Sequence, residues 1–411
     1  MPVSKGAAVA SPTVSRPPIF DKCRKFTLPD EIRAAGLYSY FRVLETGQDP
    51  VVTIGGRELV MLGSNNYLGL TSHPKVKERA IAAVRKYGSG CAGSRFLNGT
   101  LDIHVELEER LAAFMKKPAC VTFSTGFLVN LGIFSSIAGK GDTIYLDRQD
   151  HACIYDGARL AIGAEVRKFK HSDPADLRRL LAVSADRGGR ILGVDGVFSM
   201  EGDIAPLPEY AKICDEWDMA LMVDDAHGIG VLGAHGRGTA EHFGIEESTD
   251  LIMGTFSKSL AAIGGFVVGD REVIHFIKHR ARALIFTAAP PPACVGAALA
   301  ALDIIESEPE RREQLWENTR FMMTGLRAIG FDCGESATPV IPIVVGADEI
   351  AFKMAVRLHE EGVFVNPVVS PGTAPGRALI RTSYMATHRR KHLTRALEAF
   401  QAVGRELGLV S

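Results

Sequence analysis

The chain has 411 residues, more than one hydrophobic core usually organises, so its length predicts one large domain and one smaller domain. Its composition, 46% hydrophobic and 23% charged residues, is that of an ordinary globular protein, and its formal net charge of -1 excludes the basic field that nucleic-acid binding needs. No run of about 18 uncharged apolar residues occurs, so we expect no membrane-spanning helix.

The cysteines indicate neither a disulfide framework nor a zinc site. They are odd in number, widely scattered and without any Cys-x-x-Cys pair. The seven are Cys23, Cys91, Cys120, Cys153, Cys214, Cys294 and Cys333. This usage fits a reducing compartment, and we expect a cytoplasmic protein. Residues 1–18 are rich in Ala, Ser, Val and Pro and lack the apolar core of a signal peptide, so we expect a disordered leader there.

The first predicted elements surround an Asn-rich loop. Apolar residues at helical spacing predict an amphipathic helix over 30–47, followed by short strands over 51–54 and 58–62. Residues 63–69, Gly-Ser-Asn-Asn-Tyr-Leu-Gly, then gather amides and a phenol in a Gly-bounded loop before a helix over 74–87. This loop suits recognition of a small polar substrate, although an Asx-rich turn explains the same residues.

Two stretches predict an anion-binding region. Residues 88–100 form a glycine-rich loop whose backbone amides can approach an anionic ligand closely, but no Gly-Lys-Ser/Thr ends it, which excludes a Walker A motif. After a helix over 104–114, the strand 119–123 leads through a small-residue turn into a helix start at 124–130. Free amides at that helix N-terminus make a favourable seat for a phosphate.

Strands and helices alternate through the middle of the chain. The predicted elements are strands over 143–146, 190–194, 220–223 and 251–253 and a helix over 207–217. This rhythm predicts an α/β fold in which a mostly parallel central sheet has helices on both faces.

Polar side chains follow two of these strands. His151 comes just beyond a strand end, where α/β proteins place ligands. Asp224 ends another strand, and a buried carboxylate there requires a cationic partner, such as a protonated pyridine nitrogen. A helix N-cap or a metal ligand is the alternative. Asp225 and His227 lie nearby, but nothing else in the sequence completes a metal site.

Lys258 stands in a hydroxyl-rich connection between the apolar runs 251–253 and 264–268. Thr255 and Ser257 offer the donors that a phosphate needs, and an amine drawn partly out of water becomes a usable nucleophile. Both features suit a Schiff-base lysine that holds pyridoxal phosphate. A surface-loop lysine beside helix-capping serines is the far commoner origin of an isolated Ser-Lys-Ser, so the motif alone does not decide.

A second α/β unit is predicted towards the C-terminus. A helix over 295–305 and a Glu/Arg-rich solvated turn over 306–313 precede it. Its predicted elements are strands over 340–345, 363–365 and 378–383 and a helix over 349–361. Arg381 lies within an apolar strand and is expected to face a bound carboxylate or to form a structural salt bridge, the two being equally consistent with the sequence.

These motifs, in this order, resemble the α-oxoamine synthases, which are fold type I pyridoxal phosphate enzymes that condense an amino acid with an acyl thioester and release carbon dioxide. The resemblance runs from about residue 36 to the C-terminus. Its motifs are Gly-Ser-Asn-Asn-Tyr-Leu-Gly, Gly-Ser-Arg-Phe-Leu-Asn-Gly-Thr, Asp-His-Ala around His151, Phe-Ser-Met-Glu-Gly-Asp, Val-Asp-Asp-Ala-His and Gly-Thr-Phe-Ser-Lys-Ser. Residues 36–42, 100–109 and 362–371 are similar to the bacterial branch that uses L-serine.

The resemblance implies a division of the chain and a complete cofactor site. An N-terminal leader and arm (1–60) would precede a large domain that binds pyridoxal phosphate (61–300) and a small C-terminal domain (301–411). The implied catalytic groups are Lys258 as the Schiff-base lysine, Asp224 on the pyridine nitrogen, His151 stacked on the ring and His227 near the ring hydroxyl. The other implied contacts are Ser199 at the ring hydroxyl, Gly126, Phe127, Thr255 and Ser257 at the phosphate and ring, Thr287 of the neighbouring subunit at the phosphate, and Arg381 with Asn65 or Asn66 at the substrate carboxylate.

Two positions depart from the family pattern. Gly228 follows His227 where serine is usual, and Phe-Thr-Ala-Ala-Pro-Pro-Pro at 286–292 replaces a Ser-Leu/Met-Pro-Pro type of sequence. Both bear on the acyl entrance and the phosphate contacts rather than on the cofactor.

The reaction implied by the resemblance is condensation of L-serine with a long-chain acyl-CoA to give 3-ketodihydrosphingosine, CoA and CO2, the first step of sphingolipid synthesis. A homodimer with shared active sites is expected to perform it. Lys258 is the expected base at Cα, and His151 is expected to donate a hydrogen bond to the thioester oxygen. The hydrophobic product makes peripheral contact with the inner face of the membrane reasonable, although no amphipathic anchor is evident.

Three other functions compete with this one. A sister synthase would use glycine or alanine with another thioester, as the 2-amino-3-ketobutyrate CoA ligase and 8-amino-7-oxononanoate synthase types do. A non-catalytic partner subunit could dispense with Lys258, His151 and Asp224, whose presence argues against it. An aminotransferase is conceivable on the fold alone.

Overall fold

The computed structural model of the chain describes residues 17–184 and 188–411. All but the last two residues of the predicted leader therefore lie outside the described residues. The first described elements are a 3-10 turn (Pro18–Phe20), α1 (Asp21–Arg24) and α2 (Leu28–Ala34). The predicted helix over 30–47 is wrong beyond Ala34, because Gly36 adopts a left-handed φ of 71° that ends the helix, and the chain reaches the first strand without further helix.

The central sheet accounts for most of the fold. Two strands and two helices precede it: β1 (Val51–Ile54), β2 (Arg57–Met61), α3 (Pro74–Tyr87) and α4 (Asp102–Phe114). The elements of the sheet region then follow as β3 (Ala119–Phe123), α5 (Gly126–Ile137), β4 (Thr143–Asp147), α6 (Ala152–Leu160), β5 (Glu165–Phe169), α7 (Pro174–Ala182), β6 (Arg190–Asp195), α8 (Leu207–Trp217), β7 (Ala220–Asp224), α9 (Thr239–Phe243), β8 (Leu251–Thr255) and β9 (Gly265–Gly269). Three helices complete the region: α10 (Arg271–Arg280), α11 (Arg282–Ile285) and α12 (Pro292–Ser307).

Within the described residues the seven strands of this sheet lie in the order β3-β9-β8-β7-β6-β4-β5. Strands β5, β4, β6, β7 and β8 are parallel, whereas β9 runs antiparallel to both β3 and β8. The predicted α/β class with a mostly parallel sheet is confirmed.

Alternate residues of the strands face opposite helical layers. Along β7, Leu221 and Val223 pack into a core that includes Tyr210 of α8, whereas Met222 packs into a second core that includes Phe134 of α5. Because helices cover both faces of the sheet, the inner strands are continuous runs of apolar residues. Their carboxyl ends are then the places where polar residues gather.

The C-terminal part forms a smaller α/β layer. Its elements are α13 (Glu310–Ile329), β10 (Val340–Gly346), α14 (Asp348–Glu360), β11 (Val363–Phe364), β12 (Asn366–Val368), β13 (Ala378–Ser383) and α15 (Arg390–Glu406). One sheet has the order β10-β13-β12, and β11 pairs with β2, which ties the N-terminal hairpin to this layer. The domain boundaries proposed from the sequence stay a prediction.

The predicted solvated turn over 306–313 is wrong. Helix α12 continues to Ser307 and α13 begins at Glu310, so only two residues separate them. Pro309 is the N-cap of α13. Two glutamates in the first turn of α13 are attracted to the positive end of the helix dipole and stabilise the helix start. In the described part of the chain, no helix is both long and apolar enough to cross a membrane.

Candidate active site

A cavity of about 300 Å³ opens where the carboxyl ends of β6, β7 and β8 meet the start of α5. Such strand ends are the usual ligand position in open α/β sheets. Nine of the residues predicted for the site line this cavity: Gly126, Phe127, His151, Ser199, Asp224, His227, Thr255, Ser257 and Lys258. The remaining four, Asn65, Asn66, Thr287 and Arg381, do not line it.

Lys258 lies just after β8, with its side chain partly withdrawn from water. Burial is the main cause that lowers the pKa of its amine to about 8, and the nearby Arg381 lowers it further, whereas the Asp224 carboxylate opposes both. An amine with this pKa is deprotonated far more often near neutral pH than an ordinary lysine, so it can act as a nucleophile and as a base.

Asp224 is buried at the end of β7. Its Oδ2 accepts a hydrogen bond from Asn130 Nδ2 at 2.6 Å, and its Oδ1 accepts one from the backbone N–H of Ala226 at 3.1 Å. Among the described residues no cation forms an ion pair with it within 4.0 Å. A buried carboxylate held in place without a cationic partner fits the protonated ring nitrogen of pyridoxal phosphate.

The metal alternative for this cluster gains no support. Across residues 17–184 and 188–411, no group of three His, Cys, Asp or Glu side chains is arranged to hold a metal ion. Asp225 points instead at the start of α9, where its Oδ2 accepts a hydrogen bond from the backbone N–H of Thr239 at 2.7 Å.

His151 is the N-cap of α6, and its ring lines the cavity. Its Nδ1 accepts a hydrogen bond from the backbone N–H of Cys153 at 3.2 Å, and its own backbone N–H donates to Asp195 Oδ2 at 2.7 Å. Burial lowers the pKa of the imidazole, Lys258 lowers it as well, and Asp224 opposes the change. The ring is therefore held by its backbone contacts and favours the neutral form.

The start of α5 forms a narrow cradle against β8. Thr255 Oγ1 lies 2.9 Å from Ser257 Oγ, and a Cβ added to Gly126 would lie 2.6 Å from Thr255 Oγ1. Only glycine leaves this space open. Hydroxyl groups facing the free amides of a twelve-residue helix form a fitting seat for a phosphate, which is the second feature that matches pyridoxal phosphate.

Arg381 lies buried on β13 beside the cavity. Its Nε donates to the backbone oxygen of Ser199 at 2.6 Å, its Nη1 to Ser383 Oγ at 2.9 Å and its Nη2 to Asn65 Oδ1 at 3.0 Å. None of the described carboxylates forms an ion pair with it, so a structural salt bridge does not account for this arginine. A carboxylate supplied by a ligand would complete its surroundings.

The two asparagines of the first loop have different surroundings. Asn65 contacts Arg381, whereas the amide of Asn66 is used within its own turn. Asn66 Nδ2 donates to the oxygen of Gln48 at 2.8 Å, and its Oδ1 accepts from the backbone N–H of Leu70 at 2.9 Å. Asn65 therefore lies beside Arg381, whereas the amide of Asn66 is occupied within its turn, and a contact of either residue with a substrate carboxylate stays a prediction.

His227 lines the cavity and also contacts the loop of residues 63–69. Its Nδ1 lies 2.6 Å from the hydroxyl of Tyr67, which is fully buried. Burial lowers the pKa of His227 well below its usual value, and Lys258 and Arg381 add to that change. Thr287, by contrast, stands half-buried at the end of α11 and does not line the cavity of its own chain, so its contribution from a neighbouring subunit stays a prediction.

Four residues that the sequence did not single out hold the predicted ones. They are Tyr67 beside His227, Asn130 beside Asp224, and Cys153 and Asp195 beside His151. The signal for Asn130 was present, because it is a polar residue within the apolar helix α5. The contact of Cys153 with His151 is local, because the two residues are two positions apart, whereas the contacts of Tyr67 and Asp195 required knowledge of which distant segments lie side by side.

Known proteins resemble this chain over most of its length. The family model of aminotransferase class I and II matches residues 57–400. The serine palmitoyltransferase of Sphingobacterium spiritivorum is 48% identical over 97% of this chain and 100% of its own length. The 8-amino-7-oxononanoate synthase of Thermoanaerobacter pseudethanolicus is 41% identical over 93% of this chain and 96% of its own. A solved structure of SPT with a PLP internal aldimine has a TM-score of 0.92 and 35% identity, covering 95% of this chain and 99% of that one.

Proposed function

This chain belongs to the α-oxoamine synthases within the class I and II aminotransferase family, and from that premise we propose that it carries out the reaction of a serine palmitoyltransferase. It condenses L-serine with a long-chain acyl-CoA, releases CO2 and CoA, and forms 3-ketodihydrosphingosine. The relatives named for this activity are more similar to it than those named 8-amino-7-oxononanoate synthase. The single structural observation that carries the proposal is that Lys258, Asp224 and His151 share one cavity beside Arg381.

The protein is a pyridoxal phosphate enzyme. When bound, pyridoxal phosphate supplies an aldehyde for an amine and a ring that withdraws negative charge from the Cα of the amino acid. We assign its phosphate to Gly126, Phe127, Thr255 and Ser257, because the cradle at the start of α5 fits an anion. Asp224, fixed by Asn130, would hold the proton on the ring nitrogen.

The substrate contacts follow from the charges around the cavity. Arg381, steadied by Asn65, would bind the carboxylate of L-serine, and its guanidinium can do so with two parallel hydrogen bonds. Lys258, whose amine has a lowered pKa, would take the proton from Cα. His151 would cover the ring and donate a hydrogen bond to the thioester oxygen, and Ser199 and His227 would contact the ring hydroxyl.

We extend the proposal to a homodimer in which Thr287 of the partner subunit completes the phosphate site. Exposed apolar side chains near Thr287 support an interface there. Phe286 is 73% exposed, and Phe96 and Leu97 are also exposed. The segment of Phe96 and Leu97 lies close to Thr287, because Ser94 forms a β-bridge with Ala288. Mixing subunits that carry Lys258→Ala with subunits that carry Thr287→Ala tests this. Shared sites predict that hybrids regain one intact site, whereas sites built from one subunit predict none.

A cytoplasmic location with peripheral membrane contact completes the proposal. Residues 19–28 expose Ile19, Phe20, Phe26 and Leu28 beside three cationic residues, one of which pairs with Asp21, and the remaining positive charge suits an anionic membrane surface. Co-sedimentation with vesicles that contain anionic lipid, before and after replacing the four apolar residues with serine, tests this contact. Equal binding by both proteins would remove these residues from the proposal.

The reaction itself is tested by adding L-serine, glycine or L-alanine to the yellow protein and then palmitoyl-CoA, with release of CoA as the readout. We expect L-serine to change the absorbance of the bound cofactor and to support CoA release. A preference for glycine or L-alanine would move the protein to a sister synthase. Amino-group transfer without CoA release would contradict the synthase reaction altogether.

A further inference from the structure

Cys153 lies at the centre of the polar groups that flank the cavity. It is buried in the first turn of α6 and lines the cavity wall. Its Sγ is 2.8 Å from His151 Nδ1, 2.9 Å from Asn130 Nδ2 and 3.9 Å from Asp224 Oδ2. One thiol thus contacts the histidine beside the cofactor ring and the asparagine that holds the carboxylate at the ring nitrogen.

The direction of these hydrogen bonds follows from the chemistry of the partners. The carboxylate of Asp224 only accepts, so the Asn130 atom 2.6 Å from it is the amide nitrogen, whose second hydrogen points to Cys153 Sγ. The sulfur therefore accepts from Asn130 and keeps its own proton to donate. Burial and the Asp224 carboxylate raise the pKa of the thiol, which keeps it protonated. Of the two acceptors within reach, His151 Nδ1 is more than 1 Å closer than Asp224 Oδ2.

The backbone amide of Cys153 decides which nitrogen of His151 carries the proton. An amide N–H can only donate, and at 3.2 Å it donates to Nδ1. A neutral imidazole whose Nδ1 accepts must carry its proton on Nε2. No described residue forms a hydrogen bond with Nε2, so this N–H is left for a ligand in the cavity.

We propose that Cys153 is a positioning residue that holds His151 as the Nε2–H tautomer and, through Asn130, ties its orientation to that of Asp224. This inference rests on the proposed function only in assigning a substrate oxygen to the Nε2–H. The tautomer and its dependence on the thiol are properties of the chain itself. The S–H donor and the amide share the single lone pair of an unprotonated Nδ1, and the thiol is the closer of the two donors. Loss of the thiol therefore makes protonation of His151 easier.

The charged and titratable groups that face His151 from the surrounding elements are few. Asp224 at the end of β7 favours the imidazolium, and Lys258 after β8 disfavours it. Asp195 at the end of β6 accepts the backbone N–H of His151, and His227 lies across the cavity. A change at residue 153 also reaches two of these groups, because Cys153 contacts Asn130, which holds Asp224, and Cys153 lies close enough to Lys258 to affect its pKa. The alanine and serine variants at residue 153 are therefore compared with each other, since they differ in the hydrogen-bond donor that His151 receives.

The first test uses the wild-type holoenzyme labelled with nitrogen-15 histidine, in which His151 is assigned by the resonances missing from His151→Gln. We expect the shifts of a protonated Nε2 and an unprotonated Nδ1 at neutral pH. A protonated Nδ1 would overturn the proposal. This measurement uses wild-type Cys153, so a folding defect of a variant does not affect it.

The second test titrates the same resonances in three variants. Cys153→Ala is expected to raise the midpoint of His151 titration by about 0.5 to 1 pH unit, the equivalent of one neutral hydrogen bond. Cys153→Ser, which retains a donor, is expected to stay nearer the wild-type midpoint. Cys214→Ala removes a buried thiol from α8, outside the site, and is expected to change nothing. An unchanged midpoint in Cys153→Ala, or equal shifts in the alanine and serine variants, would overturn the proposal.

The test of the role of Cys153 and the test of the proposed reaction can give opposite results. A protein that shows the expected tautomer but prefers glycine would keep the role of Cys153 and lose the proposed substrate. In the synthase reaction, Cys153→Ala is expected to lower kcat about fivefold and to leave the KM for L-serine, which Arg381 governs, within about twofold. A loss confined to KM would contradict a role through His151.

Discussion

Two buried arginines in this molecule have opposite surroundings. Arg95 donates to Glu108 at 2.7 Å and to Thr122 at 2.6 Å, and the side chains of the ion pair are only 4% and 8% exposed. Arg381 is equally buried, but among the described residues it contacts only neutral oxygens and no carboxylate. Glu108 neutralises the charge of Arg95 without any ligand, whereas no described carboxylate pairs with Arg381.

From this contrast we infer that Arg95 carries a structural charge and Arg381 a functional one. A buried cation without a counter-ion lowers the stability of a fold. Where such a cation lies beside a cavity, an anionic ligand that enters the cavity offsets this cost. Arg381 also lowers the pKa of Lys258, so the open site holds two cations that a substrate carboxylate would offset. We therefore expect changes at Arg95 to affect stability, and changes at Arg381 to affect binding.

The largest effect is expected from Arg95→Leu. This change leaves the Glu108 carboxylate buried without its cation, which costs about 3–5 kcal/mol of unfolding free energy. Urea unfolding followed by circular dichroism at fixed protein concentration measures it. Arg79→Leu, which breaks the half-exposed Arg79–Glu106 pair at 2.9 Å, is the matched control and is expected to cost at most about 1 kcal/mol. Equal losses of unfolding free energy in the two variants would contradict a special structural role for the buried Arg95–Glu108 pair.

Arg381→Leu is expected to lower kcat/KM for L-serine by about 10²–10³-fold, because it removes a charge-assisted pair of hydrogen bonds to the substrate carboxylate. Its unfolding free energy should fall less than that of Arg95→Leu, since no buried anion is left behind. Arg381→Lys retains the charge without the planar fork and should lie between wild type and Arg381→Leu. Normal kinetics in Arg381→Leu together with a large loss of stability would reverse the assignment.

A smaller effect is expected from Gly126→Ala in the cradle that we propose for the phosphate. The added Cβ would lie 2.6 Å from Thr255 Oγ1, so the cradle must widen, and we expect the affinity for pyridoxal phosphate to fall about tenfold. Gly139→Ala places its Cβ in open space shortly after the same helix and serves as the control. Cofactor affinity measured by absorbance after dialysis distinguishes them, and equal affinities would remove the cradle from the site.

The smallest effect concerns pH. With the pKa of Lys258 at about 8, the neutral amine gains population as pH rises through 8, so the rate at which the cofactor-free protein incorporates pyridoxal phosphate should rise over that range. Asp224 raises this pKa, so Asp224→Asn should move the midpoint to lower pH. A midpoint above that of the wild type would show that another group controls the amine.

The sequence predicted the parts of the site whose signals are local. Asp224 and His151 follow apolar strands, and Lys258 lies between two of them, so each could be placed at the edge of the sheet before the strand order was known. The parallel sheet was predictable for the same reason. Arg381 was noticed because it interrupts an apolar strand.

The sequence left open what depends on distant partners. Whether Arg381 met a carboxylate could not be decided, because its contacts come from Ser199 and Asn65, far away in the chain. The role of Cys153 depends on Asn130 of another helix. The end of the helix over 30–47 was missed because apolar spacing continued past Gly36, whose left-handed conformation stops a helix regardless of that spacing.

We propose that Lys258 is the lysine that holds pyridoxal phosphate in this cavity. Reduction of the yellow protein with borohydride, followed by proteolysis and mass spectrometry, locates the attachment directly. We expect a phosphopyridoxyl group on the peptide that contains Lys258 and its loss in Lys258→Ala. A phosphopyridoxyl group on another lysine, or none on the reduced protein, would contradict the proposal.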